Sequence, residues 1–214
     1  FIAITNTHKI ANHDMKIMVQ RRSAISGYAE MFERAYPGEG VTEKTIAKAL
    51  ASFERTVVAT ESPFDQWRQG KETAVDESVK RGFKLFTGKA KCDACHDGFN
   101  FTDSGFHNIG LETPKDMPDD VGRYAHRKVR VNMGAFKTPT LRDVALTGPY
   151  MHNGIFKTLE EVVDCYDRGG DVKDNLDPNI KPLNLTAQEK KDLVSFLKSL
   201  TGKPMLVTLP QLPQ

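Results

Sequence analysis

Residues 92–96 read Cys-Asp-Ala-Cys-His. Two thiols at this spacing can add across the two vinyl groups of a haem and become thioethers. The histidine that follows has a tether short enough to place an imidazole nitrogen on the iron. A bare C-x-x-C would suit zinc, a redox dithiol or haem. The adjacent histidine selects haem, because a zinc site would need further ligands. Only Cys165 remains, and no second C-x-x-C exists. Cys165 reads as a small buried apolar residue rather than a reactive thiol.

The rest of the composition narrows the class. A net charge of +2 over 214 residues is too mild for nucleic-acid binding. No apolar run approaches the roughly 20 residues of a membrane-spanning helix. No signal-peptide pattern opens the chain, which begins at Phe1 rather than Met. The expectation is a mature form or a piece of a longer protein. Covalent haem attachment takes place outside the bacterial cytoplasm, so the expected location is periplasmic.

The elements that must position these residues read as all-α. A helix is expected from Ser23 to Tyr36, with Ile25, Tyr28 and Phe32 on one face. Thr42 can cap a second, carrying Ile46, Leu50, Phe53 and Val57 at helical spacing. The segment from Glu61 to Glu72 is polar, contains Ser62-Pro63 and Gly70, and reads as a linker holding the sole tryptophan, Trp67. A short helix from Asp76 to Thr87 leads into Cys92. Residues 97–139 form a long irregular region of the kind a ligand orders. Thr158 and Thr186 open capping boxes of two further helices, the last carrying Leu193, Phe196, Leu197 and Leu200. The helix before the C-x-x-C-H is expected to cross the last one behind the haem. Gly82 would allow close approach, with Phe86 and Phe196 packed at the crossing.

From Lys137-Thr-Pro-Thr-Leu-Arg142, Leu146-Thr-Gly-Pro-Tyr-Met-His-Asn-Gly154 and Thr158-Leu-Glu-Glu-Val-Val163, the chain resembles the bacterial di-haem cytochrome c peroxidase and MauG family. Phe106-His-Asn-Ile-Gly110, Arg81-Gly-Phe-Lys-Leu-Phe86, Ala51-Ser-Phe-Glu-Arg-Thr56 and Ser62-Pro-Phe-Asp65 fit as well. The resemblance implies two cytochrome c-like haem domains. Residues 1–62 would be the C-terminal part of the peroxidatic domain, 63–75 a linker, and 76–214 the C-terminal haem domain with long irregular loops. The first haem motif would lie upstream. The implied activity is reduction of hydrogen peroxide, with the haem on His96 relaying electrons. The implied partners are the upstream haem domain and a small donor cytochrome or cupredoxin, or a protein substrate if the enzyme is MauG-like. The alternative is a monohaem electron-transfer cytochrome without catalysis.

The resemblance also suggests site residues. The position of the second iron ligand, Met in the peroxidases and Tyr in MauG, falls on Tyr166, with Met151 and Met133 as competitors. A calcium ion would take backbone carbonyls of Thr147 and Pro149, so this chain would supply half of that site. Asp14, in Asn12-His-Asp-Met15, falls where the family has a glutamate acting as acid–base, one methylene longer. Haem propionates need cationic partners. Arg142 is the foremost candidate, with Lys137 and Arg123 behind it. His107 and His152 lie in family motifs and suit hydrogen bonds to propionates or backbone.

Overall fold

Seven α-helices and several short 3₁₀ turns carry nearly all the regular structure in the computed structural model, which describes residues 14–203, 208 and 210–213. The chain divides into two compact units, one ending at Val58 and also taking residues after Pro204, the other spanning Ala59–Pro204. Asn12 and His13 lie outside the described residues.

The first unit holds α1 (Met15–Ser23), α2 (Ser26–Ala35) and α3 (Glu43–Glu54). The helix expected from Ser23 is interrupted at residues 24–25, where α1 ends and α2 begins. Thr42 caps α3 as expected, its hydroxyl accepting from the Thr45 amide at 3.1 Å. Ile46 is buried, but Leu50 and Phe53 on the same stripe are 41% and 53% exposed. Val57 lies beyond the end of the helix.

The second unit contains α4 (Pro63–Arg68), α5 (Glu77–Thr87), α6 (Leu159–Asp167) and α7 (Ala187–Ser199). Its only sheet among the described residues is a two-stranded antiparallel pair, β1 (Phe106–His107) with β2 (Phe136–Lys137). Residues 63–75 are not a free linker. Ser62 is the N-cap of α4 and Pro63 its first residue, so the pair that resembles a breaker is a helix start. Phe64 is buried in the core, with its ring 5.4 Å from Phe196 and 5.6 Å from Phe101. Trp67 packs edge-on to Phe64 and Phe83 and donates to the Glu72 carboxylate at 3.2 Å.

The crossing of α5 and α7 forms as the sequence suggests. Phe86 and Phe196 meet at 4.9 Å between ring centroids, and Phe196 is fully buried. A Cβ on Gly82 would collide with the Asp192 carbonyl and stand 2.8 Å from the Phe196 Cβ. Backbone cannot swing aside as a side chain can. Gly82→Ala is therefore expected to cost about 3 kcal/mol or more, read as a lower denaturation midpoint of the haem-loaded protein.

A polar clasp closes the same crossing. Asp192, 2% exposed, accepts from Arg81 at 2.7 and 3.0 Å, from Ser78 at 2.8 Å and from Gln188 at 2.9 Å. The Arg81 guanidinium leads the effects that hold its carboxyl down at about 2, against burial, which opposes them. The folded value lies below the unfolded one. The stabilisation is thus fully present above about pH 4 and disappears as pH falls through about 2. Asp192→Asn should flatten the acid limb of a stability–pH profile, and at neutral pH lower stability by about 2 kcal/mol.

Candidate haem site

The turn after α5 aims the Cys92–His96 residues. Lys91 adopts a left-handed conformation at φ 49°, and Cys92–Ala94 form a 3₁₀ turn closed by the His96 amide donating to the Cys92 carbonyl at 2.9 Å. The Asp103 amide donates to the Cys95 carbonyl at 2.8 Å, tying the turn to the irregular segment behind it. Both thiols and the imidazole line one cavity of about 710 Å³. That size and an apolar wall with a few placed polar groups are what a cofactor pocket needs.

Helix periodicity builds the walls. Leu159, Val162, Val163 and Tyr166, spaced i, i+3, i+4, i+7 on α6, all face the cavity. Phe86 enters from α5, and Leu193 and Leu197 from α7. The capping box at Thr158 fixes where α6 starts, with Glu161 reciprocating, and so sets which side Tyr166 faces. Gly169-Gly170 follow in left-handed conformation, and a Cβ on Gly170 would strike the Ile109 carbonyl.

The electrostatics favour a neutral nitrogen ligand. His96 Nδ1 lies 2.9 Å from the Phe101 carbonyl. Only an N–H can meet a carbonyl there, which leaves Nε2 with its lone pair. Burial lowers the His96 pKa, so the ring stays uncharged at neutral pH. Burial likewise pushes the Cys92 thiol up to about 12 and the Cys95 thiol to about 11. These are poor nucleophiles and poor free-thiolate metal ligands. The Tyr166 phenol is raised further, by burial first and then by the neighbouring Cys92. Among the described residues nothing hydrogen-bonds its hydroxyl, yet it is not a sealed, orphaned atom. It opens on the cavity that the ring lines. A phenolate there requires a cation in the cavity to offset the desolvation.

Cys95, Asp103 and His107 bring ligand atoms within 4.8 Å of one another. His107, however, is already spent: Nδ1 sits 2.6 Å from Asp177 and Nε2 2.8 Å from Asp103. Burial opposes its charge, and the two carboxylates overcome that and hold its pKa above the ordinary imidazole value. The cavity thus presents two thiols at the attachment spacing, a free imidazole nitrogen and an oxygen donor on an apolar wall. This set fits a covalently held haem.

Other expected residues divide. Lys137 is exposed on the cavity lining. Met133 and Met151 also line the cavity, as do Thr147 and Pro149. His152 stacks flat on Phe136 at 3.5 Å, both against the cavity. Arg142 does not reach it. It is 7% exposed, holds Asp65 at 2.7 and 2.8 Å, and donates Nε to the Phe99 carbonyl at 2.9 Å. A guanidinium removed from water needs a carboxylate, and the nearest is on α4. Arg123 lies 3.9 Å over the Phe106 ring and is not part of the lining either. Lys91 and Lys181 are exposed lining cations that the motifs did not single out. Lys91 was findable, as it directly precedes Cys92. Asp14 caps α1, accepting from the Lys16 amide at 2.7 Å. Cys165 is buried at 1% exposure, and burial pushes its thiol to about 11.

Two family models match in succession: di-haem cytochrome c peroxidase over residues 1–73, and cytochrome c over residues 79–201. The chain belongs to the cytochrome c family, in its di-haem peroxidase and MauG group. Among curated relatives, it is 44% identical over 203 residues to the methylamine utilization protein MauG of Methylorubrum extorquens, covering 94% of this chain and 57% of the relative. It is 36% identical over 232 residues to the cytochrome-c peroxidase IdrP1 of Denitromonas iodatirespirans, covering 94% and 62%. A crystal structure of a MauG-like protein associated with microbial copper homeostasis superposes with a TM-score of 0.79 at 32% identity, covering 91% of this chain and 64% of that one. The chain thus spans roughly three-fifths of the length of these cytochrome c peroxidase and MauG relatives. No helix among the described residues is long and apolar enough to cross a membrane.

Proposed function

We propose that this chain is the electron-transfer portion of a periplasmic di-haem peroxidase of MauG type. It would work with an upstream haem domain that reduces hydrogen peroxide. The observation that carries this reading is the convergence of Cys92, Cys95, His96 and Tyr166 on one cavity, in a chain whose first 73 residues match the di-haem peroxidase model. A free-standing monohaem cytochrome has no use for that segment.

When bound, the haem supplies a one-electron couple. The protein's own residues set its terms. The two thiols fix the ring in register, and His96 offers Nε2 while the Phe101 carbonyl holds the imidazole plane. The phenol oxygen of Tyr166 provides a hard second donor, which favours the more oxidised state. Leu193, Leu197, Val163 and Phe86 exclude water. Lys91, Lys137 and Lys181, rather than Arg142, supply positive charge at the cavity lining for the haem carboxylates. Calcium would sit on the Thr147 and Pro149 carbonyls, completed from the upstream domain. Asp14 keeps a capping role here, and an acid–base role for it belongs to the assembled enzyme. The electron donor would be a small cytochrome or cupredoxin, or the enzyme would oxidise a partner protein.

The test is a count of covalent haem in natively isolated enzyme, by alkaline pyridine spectroscopy, paired with a peroxide-consumption assay. Two haems per copy with turnover are expected. The Cys92→Ser/Cys95→Ser enzyme should retain one and lose turnover. One haem and no peroxide consumption in the unaltered enzyme would reduce the chain to a relay cytochrome.

A further inference from the structure

The segment Gly122–Val131 carries Arg123, Arg127, Lys128 and Arg130 and no acid, in a chain whose whole net charge is only +2. Every residue from Ala125 to Val131 is exposed. Val129 and Val131 stand among the cations at 48% and 70% exposure. The backbone beneath is nonetheless held firmly. Asn132 donates to the Arg127 carbonyl at 2.9 Å, and Asn175 to the carbonyls of Arg130 and Met133, each at 2.9 Å. Gly122 bridges to Ala135, with the Arg123 amide donating to the Ala135 carbonyl at 2.9 Å. Arg123 is taken up over the Phe106 ring at 3.9 Å, whereas the cations further along the segment are left nearly unspent. Among the described residues Arg127 and Lys128 make no ion pair. The one pair of Arg130, to Asp174, is long at 3.4 Å and exposed at both ends, a geometry that contributes little.

A held backbone that displays Arg127, Lys128 and Arg130 around exposed valines is suited to meet a surface, since within the fold these three cations make only the one long, exposed ion pair. The segment also adjoins the haem cavity, because Val121, Met133 and Gly134 on either side of it line that cavity. We propose that this loop is a docking surface for a small redox protein whose contact face is apolar and ringed by carboxylates, an acidic cupredoxin or acidic cytochrome rather than a basic one. Charge complementarity selects the acidic class, steers the encounter and is screened by salt. The valines supply the short-range contact that electron transfer needs near the cavity. The proposal rests on the reading that this chain carries an electron-transfer haem.

The experiment uses the haem-loaded enzyme with a plastocyanin-type acidic cupredoxin as probe, and a basic mitochondrial-type cytochrome c as the contrast. Binding is followed by calorimetry and by probe chemical shifts at low and high salt. Arg127→Glu/Lys128→Glu should weaken cupredoxin binding about tenfold at low salt and flatten its salt dependence. Val131→Ser should weaken binding at both salt concentrations. Peroxide turnover with a small-molecule reductant should be unchanged in both variants, so a failure of the peroxidase reading would appear there and not in the binding data. Unchanged affinity and salt slope in the charge-reversed variant would overturn the proposal. So would a preference of the unaltered enzyme for the basic cytochrome, or equal binding of anionic lipid vesicles and the cupredoxin.

Discussion

Tyr166→Met, made in the assembled enzyme, is expected to raise the reduction potential of the haem on His96 by on the order of a tenth of a volt or more, within the roughly 0.8 V that axial ligands span. The reason lies in the donor atoms. A phenolate is hard and anionic and stabilises the ferric state, whereas a thioether is soft and neutral and favours the ferrous state. Tyr166 is placed to do this on the cavity-facing stripe of α6, where burial has already raised the phenol pKa and the site itself offers it no hydrogen bond. Such a group ionises only against a cation, so binding of its oxygen to a haem iron, as proposed, would carry its deprotonation with it. Spectroelectrochemistry checks the shift. Tyr166→Phe supplies the control, since it keeps the ring and removes only the oxygen. Met133→Leu and Met151→Leu should leave the potential where it is. If either of them moves it while Tyr166→Phe does not, the second ligand is a methionine and the MauG-like reading fails.

The cofactor chemistry was legible because it is local. Cys92, Cys95 and His96 are contiguous, and the turn that presents them closes on itself through the His96 amide and the Cys92 carbonyl. The caps at Thr42, Thr158 and Thr186 were legible for the same reason, the last two as four-residue reciprocal patterns. The α5–α7 crossing was readable at longer range, because a glycine on a helix face followed by a phenylalanine on the same face leaves few other uses. What escaped the sequence was double meaning and distance. Ser62-Pro63 looks the same whether it ends order or starts a helix. Only the burial of Phe64 decides, and that depends on Phe101 and Phe196 arriving from elsewhere. A cation in a haem-domain motif, such as Arg142, points to the haem. The actual partner of Arg142 lies 77 positions earlier, and no periodicity connects the two.

That pairing sets the second large expectation. Arg142→Met should destabilise the haem-loaded protein by about 3–5 kcal/mol, the cost of leaving a buried charge without its partner. The Arg142 and Asp65 side chains are only 5% and 13% exposed. Burial by itself raises the Asp65 pKa, but hydrogen bonds from Arg142 and Ser62 outweigh it and hold the carboxyl below its ordinary value. Stability from Asp65 is therefore present above the unfolded carboxylate pKa and lost as pH falls through the lower folded value. Without Arg142 the first of those hydrogen bonds is gone and burial meets less opposition, so the acid sensitivity of the variant moves toward neutral pH. Arg142→Met/Asp65→Leu should recover much of the loss, since an apolar pair removes the stranded charge. The consequence reaches His96. Arg142 also holds the Phe99 carbonyl at 2.9 Å, and two residues on the Phe101 carbonyl orients His96. The single variant should then broaden the signals of the His96 imidazole in paramagnetic NMR, and the double variant should not fully sharpen them, because neither methionine nor leucine donates to Phe99. If Arg142→Met instead left unfolding unchanged and loosened only the haem carboxylates, the residue would be a propionate ligand after all, and the contact with Asp65 incidental.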